Sequence, residues 1–591
     1  MCCGLGRGGK GWEGGGVEGG DTCGSQLAQT SQLSPFPKVT GDGVICTCGA
    51  TSRTPVFVKT PTCRTGDMIR GLCHLREADD TSDALKLAAV REVREKPGSM
   101  YLTLVIVLFA LLLFYRYLKE NYKLFIKDGV DGPTPVYIFG NLGEFAGKDP
   151  LEKFTELTNR FGKGLTPSIV VSDPDLIQQI LVKNFSKFNG RPRFLPFLHF
   201  EEKEILQNVC GSKWKNMREA MASAFNNTNI QKVFPRLLHV ADQFVDELQR
   251  LVLKHPQGFD IQKLNECYAL DSVAFTALGL ETKAIAHGEE CMMLQYVYAY
   301  DNSASPENAA SGLARAYQCL EVLKIVDIKH KRLAKEYFDC LSHHMESERQ
   351  KVNTSARPKS MLQHLLTYNP TSRDHATNPA RSPLTTSEIL GLTSSMVGGG
   401  VGSTASALDF TLHCLAVHPR HQEKLRQEVL NVCGVEGNFT IEQVREIDYL
   451  DQVINESLRF YPIAPGVART CSEDCVVNGV QFRAGTEVRL MGITQYKDPE
   501  IFPDPLTFKP ERFSKEEKSR HPGSWFPFGA GPRMCVGMHL AQLHLKVAII
   551  KLLQNFEIST SDLTQDPLPV TLRPHLSPRN GVHIRLTRIA R

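Results

Sequence analysis

Apolar residues recur three and four positions apart along most of the chain beyond residue 149, which is the period of helices that bury one face. This pattern predicts nine helices, at 150–160, 174–184, 212–225, 229–253, 325–352, 385–416, 419–432, 440–460 and 538–553. Strand-like runs are few and short: SIVVS at 168–172, DCVVNGVQFRAGTEVRL at 474–490 and GVHIRL at 581–586. The chain is therefore predicted to be mainly α-helical with small β-sheets.

Residues 1–99 lack this periodicity. They begin with the Gly-rich run GLGRGGKGWEGGGVEGG at 4–20 and continue with many Ser, Thr and Cys residues, a composition typical of disorder. Seven of the 17 cysteines fall here, so a metal or palmitoyl site is an alternative use of this segment. Because patterned sequence begins at Met100, we expect the native product to start there and residues 1–99 to be an extension.

An uncharged run extends from residue 100 to residue 115 and is followed at once by Arg116, Lys119 and Lys123. An arginine at the end of such a run can place its charge at the membrane surface, so we predict one transmembrane anchor at 100–118. The basic residues after it predict that the rest of the chain faces the cytoplasm. Residues 119–140 are punctuated by Pro and Gly and predict a connector, and 141–591 predict one large domain.

Overall composition excludes some functions. Of the 591 residues, 42% are hydrophobic and 22% are charged, and the formal net charge is only +4. No basic stripe interleaved with aromatic residues is present, so we expect no nucleic-acid partner. The cysteines are irregularly spaced and include no CxxC pair, which favours a reducing compartment over a disulfide framework.

One cysteine has a special setting, in WFPFGAGPRMCVGMHLAQ at 525–542. Thiolate is a strong ligand for iron, glycines let a backbone lie against a flat macrocycle, and amides at a helix start favour an ionised sulfur. The pattern Phe528-x-x-Gly531-x-Arg533-x-Cys535-x-Gly537 resembles the haem-binding loop of the cytochrome P450 family. The alternative is a buried structural cysteine in a Gly-rich loop.

Other motifs stand in the order of that family. Glu456 and Arg459 lie three apart in VINESLRFYP, and Arg512 follows in FKPERF, so the resemblance implies a buried structural triad of these residues. Haem propionates need cations. The resemblance implies that the haem-binding residues are Trp214 and Arg218, from a W-x-x-x-R pair, with Arg469, Phe528, Arg533 and Gly537, and that Cys535 is the iron ligand.

The chain departs from the family at two places. The predicted helix from Thr385, which carries a capping box with Glu388, reads MVGGGVGSTASALDF where the family has A-G-x-[DE]-T-T, so Gly402 takes the position of the acid. Ser403 and Thr404 are then the candidates for catalytic proton relay, and the glycines allow a bulge or kink. Between RFG at 160–162 and DPD at 173–175, one strand stands where the family has two, which suggests an internal deletion.

The resemblance implies the cytochrome P450 fold, haem b and a monooxygenase that inserts oxygen into a lipophilic substrate such as a steroid, fatty acid or xenobiotic. It is strongest to microsomal members of the drug- and steroid-oxidising and thromboxane-synthase-like groups. It implies a single-pass anchor in the endoplasmic reticulum membrane and electrons from NADPH through a cytochrome P450 reductase, with cytochrome b5 as a further donor. The pocket is expected to be lined by 194–200, 285–330 and 463–467.

Two other functions stay open at this point. One is an isomerase or dehydratase of a fatty-acid peroxide that needs no reductase. The other is a haem-binding protein that has lost turnover with the missing acid and strand.

Overall fold

A computed structural model describes residues 101, 104–106, 108–113, 115–116, 168–191, 204–303, 329–354, 358–368, 382–517 and 520–589. The chain forms two compact units, Met1–Leu111 and Leu112–Arg591. The described residues of the first unit are helical, with exposed apolar side chains such as Leu104 and Phe109. Within the described parts of the chain, no helix is long and apolar enough to cross a membrane. The predicted extension 1–99, connector 119–140 and helix 150–160 lie outside the described residues.

The second unit is mainly helical, as predicted. Its described α-helices are α1 Pro174–Gln178, α2 Gly211–Ala224, α3 Asn227–Lys254, α4 Gln262–Val273, α5 Ala284–His287, α6 Met292–Ser303, α7 Lys329–Thr354, α8 Met361–Leu366, α9 Thr386–Val417, α10 Pro419–Cys433, α11 Ile441–Glu446, α12 Asp448–Phe460, α13 Gly492–Tyr496 and α14 Met538–Asn555. Two π-helical turns continue α1 and α4, at Gln179–Lys183 and Ala274–Leu278.

The small sheets are also present. The strands are β1 Ser168–Val171, β2 Phe259–Asp260, β3 Val467–Thr470, β4 Cys475–Val477, β5 Val480–Phe482, β6 Glu487–Leu490, β7 Phe556–Thr560, β8 Val570–Leu572, β9 Leu576–Pro578 and β10 His583–Arg588. They form sheets in the orders β1-β6-β3, β2-β10-β7, β4-β5 and β8-β9. In the first sheet β1 runs parallel to β6, and β3 runs antiparallel to it.

One predicted helix is wrong as drawn. The segment 440–460 forms two helices, α11 and α12, because Ile447 between them leaves the helical region at φ −83° and ψ 81°. The predicted helix 174–184 is present but changes from α to π at Gln179. Helix α4 was not predicted, since it buries the polar residues Asn265, Asp271 and Ser272 among its apolar ones and so shows no one-sided pattern.

The long helix α9 is the centre of the unit. It is buried along most of its 32 residues and packs against α4, α12 and α14. Its start confirms the predicted capping box: Glu388 N–H donates to Thr385 Oγ1 at 3.2 Å and Thr385 N–H donates to Glu388 Oε2 at 2.8 Å. Such a reciprocal cap satisfies two helix-end amides and contributes about 1 kcal/mol. Residues 398–402 are α-helical throughout, so the glycine run forms no π-bulge.

Candidate active site

The loop around Cys535 is held by its own backbone. Cys535 N–H donates to Phe528 O at 2.8 Å, and Met534 N–H donates to Gly531 O at 3.0 Å across a single 3₁₀ turn. Helix α14 begins three residues after the cysteine. Phe528 and Cys535 are thus joined directly, and the sulfur stands at the entrance to a long helix.

Gly531 has a packing role in addition to the one expected. Its φ is +70°, and a Cβ there would lie 1.9 Å from Leu181 O, a backbone atom of the π-helical turn after α1. This glycine therefore lets the loop pack on another part of the chain, and no contact with a macrocycle is needed to explain it. At Gly537 a Cβ would meet Phe225 at an ordinary 3.5 Å.

The Cys535 side chain is exposed, but the protein around the sulfur still desolvates the thiol, and this desolvation is the largest influence and raises its pKa. The Gly537 amide and the guanidinium groups of Arg218 and Arg191 act in the opposite direction. Two cations and a backbone N–H therefore stabilise the thiolate within an otherwise unfavourable site, which is the setting of a cysteine that binds a cation.

Four arginines gather beside this thiol. Three are the predicted Arg218, Arg469 and Arg533, and the fourth is Arg191. Burial lowers the pKa of Arg469 to about 9 and that of Arg533 to about 10, and in both cases the neighbouring Arg191 lowers it further. The pKa values of Arg191 and Arg218 are lowered too, chiefly by burial. Like charges placed this close together favour the binding of an anion.

Several nitrogens of this group have no partner among the described residues. They are Arg191 Nε, Arg469 Nε, Arg469 Nη2 and Arg533 Nε. Two of the arginines donate to backbone carbonyls: Arg469 Nη1 donates to Ala468 O at 2.9 Å, and Arg533 Nη2 donates to Val209 O at 2.9 Å. Arg533 also forms a side-chain hydrogen bond with Cys210. The unpaired nitrogens are buried donors available to carboxylates.

Arg191 was missed by the sequence analysis. It stands in FNGRPR, outside any periodic segment, and no spacing relates it to the other arginines. The structure brings it in through an isolated bridge between Gly190 and Thr470, in which Thr470 N–H donates to Gly190 O at 3.0 Å. Because Arg469 precedes Thr470 on β3, this bridge places the two arginines together.

Trp214 acts on the site through an arginine. The guanidinium of Arg533 lies over its indole ring, 4.2 Å from the ring centroid, and Phe185 packs on the same ring at 5.7 Å. The indole is buried. A cation over an aromatic face is held in position as well as stabilised, so Trp214 fixes the direction of Arg533.

The structure brings Glu456, Arg459 and Arg512 together. Arg459 Nε and Nη2 donate to the two Glu456 oxygens at 2.8 Å each, and Arg512 Nε lies 3.4 Å from Glu456 Oε1. Arg459 Nη1 also donates to Tyr496 O and Pro505 O. Glu456 is fully buried and Arg459 is 1% exposed, so this is an internal charge network that ties α12 to the segment before the cysteine loop.

Ser403 and Thr404, the two candidate relay residues on α9, have different surroundings. Ser403 Oγ donates to Gly399 O at 2.7 Å, within its own helix. Thr404 is buried. The nearby acid of α9, Asp409, is bonded to Asn265 at the α4 interface, and burial raises its pKa well above the usual range. Asp409 therefore serves helix packing, and it does not replace the acid missing at Gly402.

Part of the predicted pocket can be located. Ile463 is half-buried, and its carbonyl accepts from Leu576 N–H at 2.8 Å. Residues 194–200 and 304–328 lie outside the described residues.

The residues present fit a haem. Its two propionates match a cluster of buried arginines with unpaired donors, and its iron matches a single thiol at a helix start beside them. The orphaned nitrogens of Arg469, Arg533 and Arg191 are the observation that decides this fit.

Comparison with known proteins agrees with this site. Residues 130–581 match the family model "Cytochrome P450". The chain is 30% identical over 502 residues to Cytochrome P450 3A41 of Mus musculus, which covers 82% of this chain and 96% of the mouse protein. It is 30% identical over 500 residues to Cytochrome P450 3A11 of Mus musculus, with the same two coverages. It is 28% identical over 499 residues to Cytochrome P450 3A14 of Cavia porcellus, again over 82% and 96%.

Proposed function

The chain belongs to the cytochrome P450 family and is a haem-thiolate monooxygenase, and we propose that its substrate is a lipophilic small molecule such as a steroid, fatty acid or xenobiotic. The arginine cluster beside Cys535 is the observation that carries the assignment. Cys535 supplies the sulfur and the arginines supply the unpaired cations that haem b requires. Haem with a thiolate ligand supplies the cleavage of the O–O bond of dioxygen.

Each residue has a task toward that group. Cys535 is the iron ligand, and Arg191, Arg218, Arg469 and Arg533 neutralise the propionates. Trp214 holds the Arg533 guanidinium in its direction. Phe528 and Gly537 hold the cysteine loop through backbone contacts, the first by accepting the Cys535 N–H. The triad of Glu456, Arg459 and Arg512 has a structural task only.

We assign proton delivery to the hydroxyls of Ser403 and Thr404 on α9. Ser403 Oγ donates to Gly399 O, so its lone pairs are free to accept a proton donor from the pocket. A rotation of the Ser403 side chain would pass its own proton on. Thr404, one residue later, is the second candidate for this relay.

The remaining organisation is proposed from the sequence. Residues 100–118 form a single-pass anchor in the endoplasmic reticulum membrane, and 141–591 form the catalytic domain on the cytoplasmic side, joined by the connector 119–140. Residues 1–99 are an extension outside the native product. NADPH–cytochrome P450 reductase supplies electrons, with cytochrome b5 as a further donor. The support is the uncharged run with its flanking basic residues.

Turnover with a reductase tests the proposal. The haem-loaded protein is mixed with reductase and NADPH, and a panel of steroids and fatty acids is screened for products that gain one oxygen atom from labelled O2. Product formation that requires NADPH supports the monooxygenase. Conversion of a fatty-acid hydroperoxide without NADPH would support the isomerase or dehydratase alternative, which the family matches do not favour.

A further inference from the structure

An amide side chain from another part of the chain faces the glycine run of α9. Gln207 lies in the turn before α2, and a Cβ built on Gly399 would lie 3.3 Å from Gln207 Nε2. Such a distance is tighter than most real Cβ contacts, so the missing methyl group at Gly399 leaves room for this amide. Gln207 Oε1 is buried and has no hydrogen-bond partner among the residues that the structure describes. Buried polar atoms of this kind usually engage a ligand or a water molecule.

The position of Gln207 is fixed by its neighbours. Leu206 N–H donates to Ser395 Oγ at 2.9 Å, and Ser395 Oγ donates to Gly391 O. The backbone of the turn is therefore bonded directly to α9. At Gly391 a Cβ would lie 2.3 Å from Glu204 O, which shows how closely the turn approaches the helix. The side chain at 207 is therefore held on the face of α9 that carries Gly391, Ser395 and Gly399.

The same turn of α9 carries the relay hydroxyl. Ser403 Oγ donates to Gly399 O at 2.7 Å, and the Gln207 amide is the group that a Cβ on Gly399 would meet. Gly402, between them in sequence, has no side chain to supply an acid. The Gln207 amide and the Ser403 hydroxyl thus both lie next to Gly399.

We propose that Gln207 is a positioning residue for proton delivery: its carboxamide, together with the Ser403 hydroxyl, orients the water that carries protons to the reacting oxygen in place of an acid at position 402. This inference rests on the proposed monooxygenase function. A carboxamide does not titrate near neutral pH, but it both donates and accepts hydrogen bonds, so it can hold a water molecule without being the proton source.

The balance of the reaction says what fails without it. Productive turnover is RH + O2 + NADPH + H⁺ giving ROH + H2O + NADP⁺. When protons reach the wrong oxygen, the same reductant gives O2 + NADPH + H⁺ going to H2O2 + NADP⁺. A residue that orients the proton-carrying water therefore controls the share of NADPH that is lost as peroxide.

The first test needs no substrate. The infrared C–O stretching band of the reduced carbon monoxide complex reports on polar groups beside the bound gas. We expect Gln207→Ala to shift this band, and Gly399→Ala, whose methyl group crowds the amide, to shift it in the same direction. Gln427→Ala is the matched control, since Gln427 is an exposed glutamine paired with Glu423 on α10. A band unmoved in Gln207→Ala, in protein with normal thiolate-haem absorption, would overturn the proposal.

The second test measures peroxide. With reductase, NADPH and substrate, we expect Gln207→Ala to raise the ratio of H2O2 to the oxygenated product ROH about tenfold. The reason is that positioned proton transfer contributes at least about a hundredfold when it is complete. Adding Gly402→Asp to Gln207→Ala should restore the ratio, since it returns an acid to the helix. No rise, or a rise that Gly402→Asp leaves unchanged, contradicts the positioning role. If wild-type protein binds no haem through Cys535, the proposed function fails first and this inference fails with it.

Discussion

Replacing Glu456 with Gln tests the internal charge network by removing its one negative charge. The carboxylate accepts from Arg459 Nε and Nη2 at 2.8 Å each, accepts Lys509 N–H at 2.8 Å, and lies 3.4 Å from Arg512 Nε. In Glu456→Gln one oxygen becomes an NH2 group that faces an N–H donor. Two buried guanidinium groups then lack a counter-charge, which costs about 3–5 kcal/mol. The carbonyls of Tyr496 and Pro505 still accept from Arg459, so we expect the lower end.

The expected change is measurable as a melting temperature. At about 2.1 cal/mol/K per residue, a unit of roughly 450 residues has an unfolding entropy near 1 kcal/mol/K, so about 3 kcal/mol corresponds to about 3 °C. The assay is thermal loss of the carbon monoxide difference band in haem-loaded protein. Arg250→Ala is the control, because it breaks an exposed pair with Glu247 on α3 and should change the melting temperature by less than about 1 °C. A melting temperature for Glu456→Gln equal to that of Arg250→Ala would refute the reasoning.

Three further predictions concern the haem edge, the cysteine loop and acid stability. Arg469→Ala removes a guanidinium with two unpaired buried nitrogens, so we expect haem to transfer to a scavenger protein at least about tenfold faster, and an unchanged transfer rate would remove this arginine from the site. In Gly531→Ala the new methyl group would overlap Leu181 O, and we expect the fold to be destabilised by about 3 kcal/mol or more. Gly398 has open space around its Cβ position, so Gly398→Ala should stabilise α9 by about 1 kcal/mol. Urea unfolding distinguishes the two variants, and equal unfolding midpoints would contradict the packing account. Burial lowers the pKa of His544 to about 3, so the unfolded chain binds the proton first and the free energy of unfolding falls as pH drops from about 6.5 toward that value. In His544→Asn the melting temperature should fall less steeply with decreasing pH across this range. An unaltered slope would show that this imidazole does not titrate as argued.

The parts of the site that lie close together in sequence were predictable. Cys535 and Arg533 belong to one short loop, and Glu456 and Arg459 lie three apart on one helix, so local spacing alone places each pair on one face. Arg512 needed the order of motifs along the chain. The start of α9 was equally local, since a capping box is read from Thr385 and Glu388 alone.

The parts brought in by long-range contacts were not predictable. Arg191 reaches the arginine cluster through the bridge from Gly190 to Thr470, and Gln207 reaches α9 through the close approach of Glu204 to Gly391. Neither contact leaves a spacing in the sequence. The packing role of Gly531 was not predictable for the same reason, because its close neighbour, Leu181, lies in a distant segment.

Helix boundaries failed where neither glycine nor proline marks them. The break between α11 and α12 falls at Ile447, a buried apolar residue within an apolar period, whose ψ of 81° lies outside the helical range. Helix α4 is buried on nearly every side, so it has no polar stripe to give a period.

The carbon monoxide difference spectrum of the reduced, membrane-expressed protein tests the central assignment most directly, with Cys535→Ala measured beside it. The account predicts a red-shifted Soret band in the wild-type protein and its loss in the variant, because we propose Cys535 as the thiolate ligand of the haem. A wild-type protein that binds no haem, or a band that persists unchanged in Cys535→Ala, would contradict it.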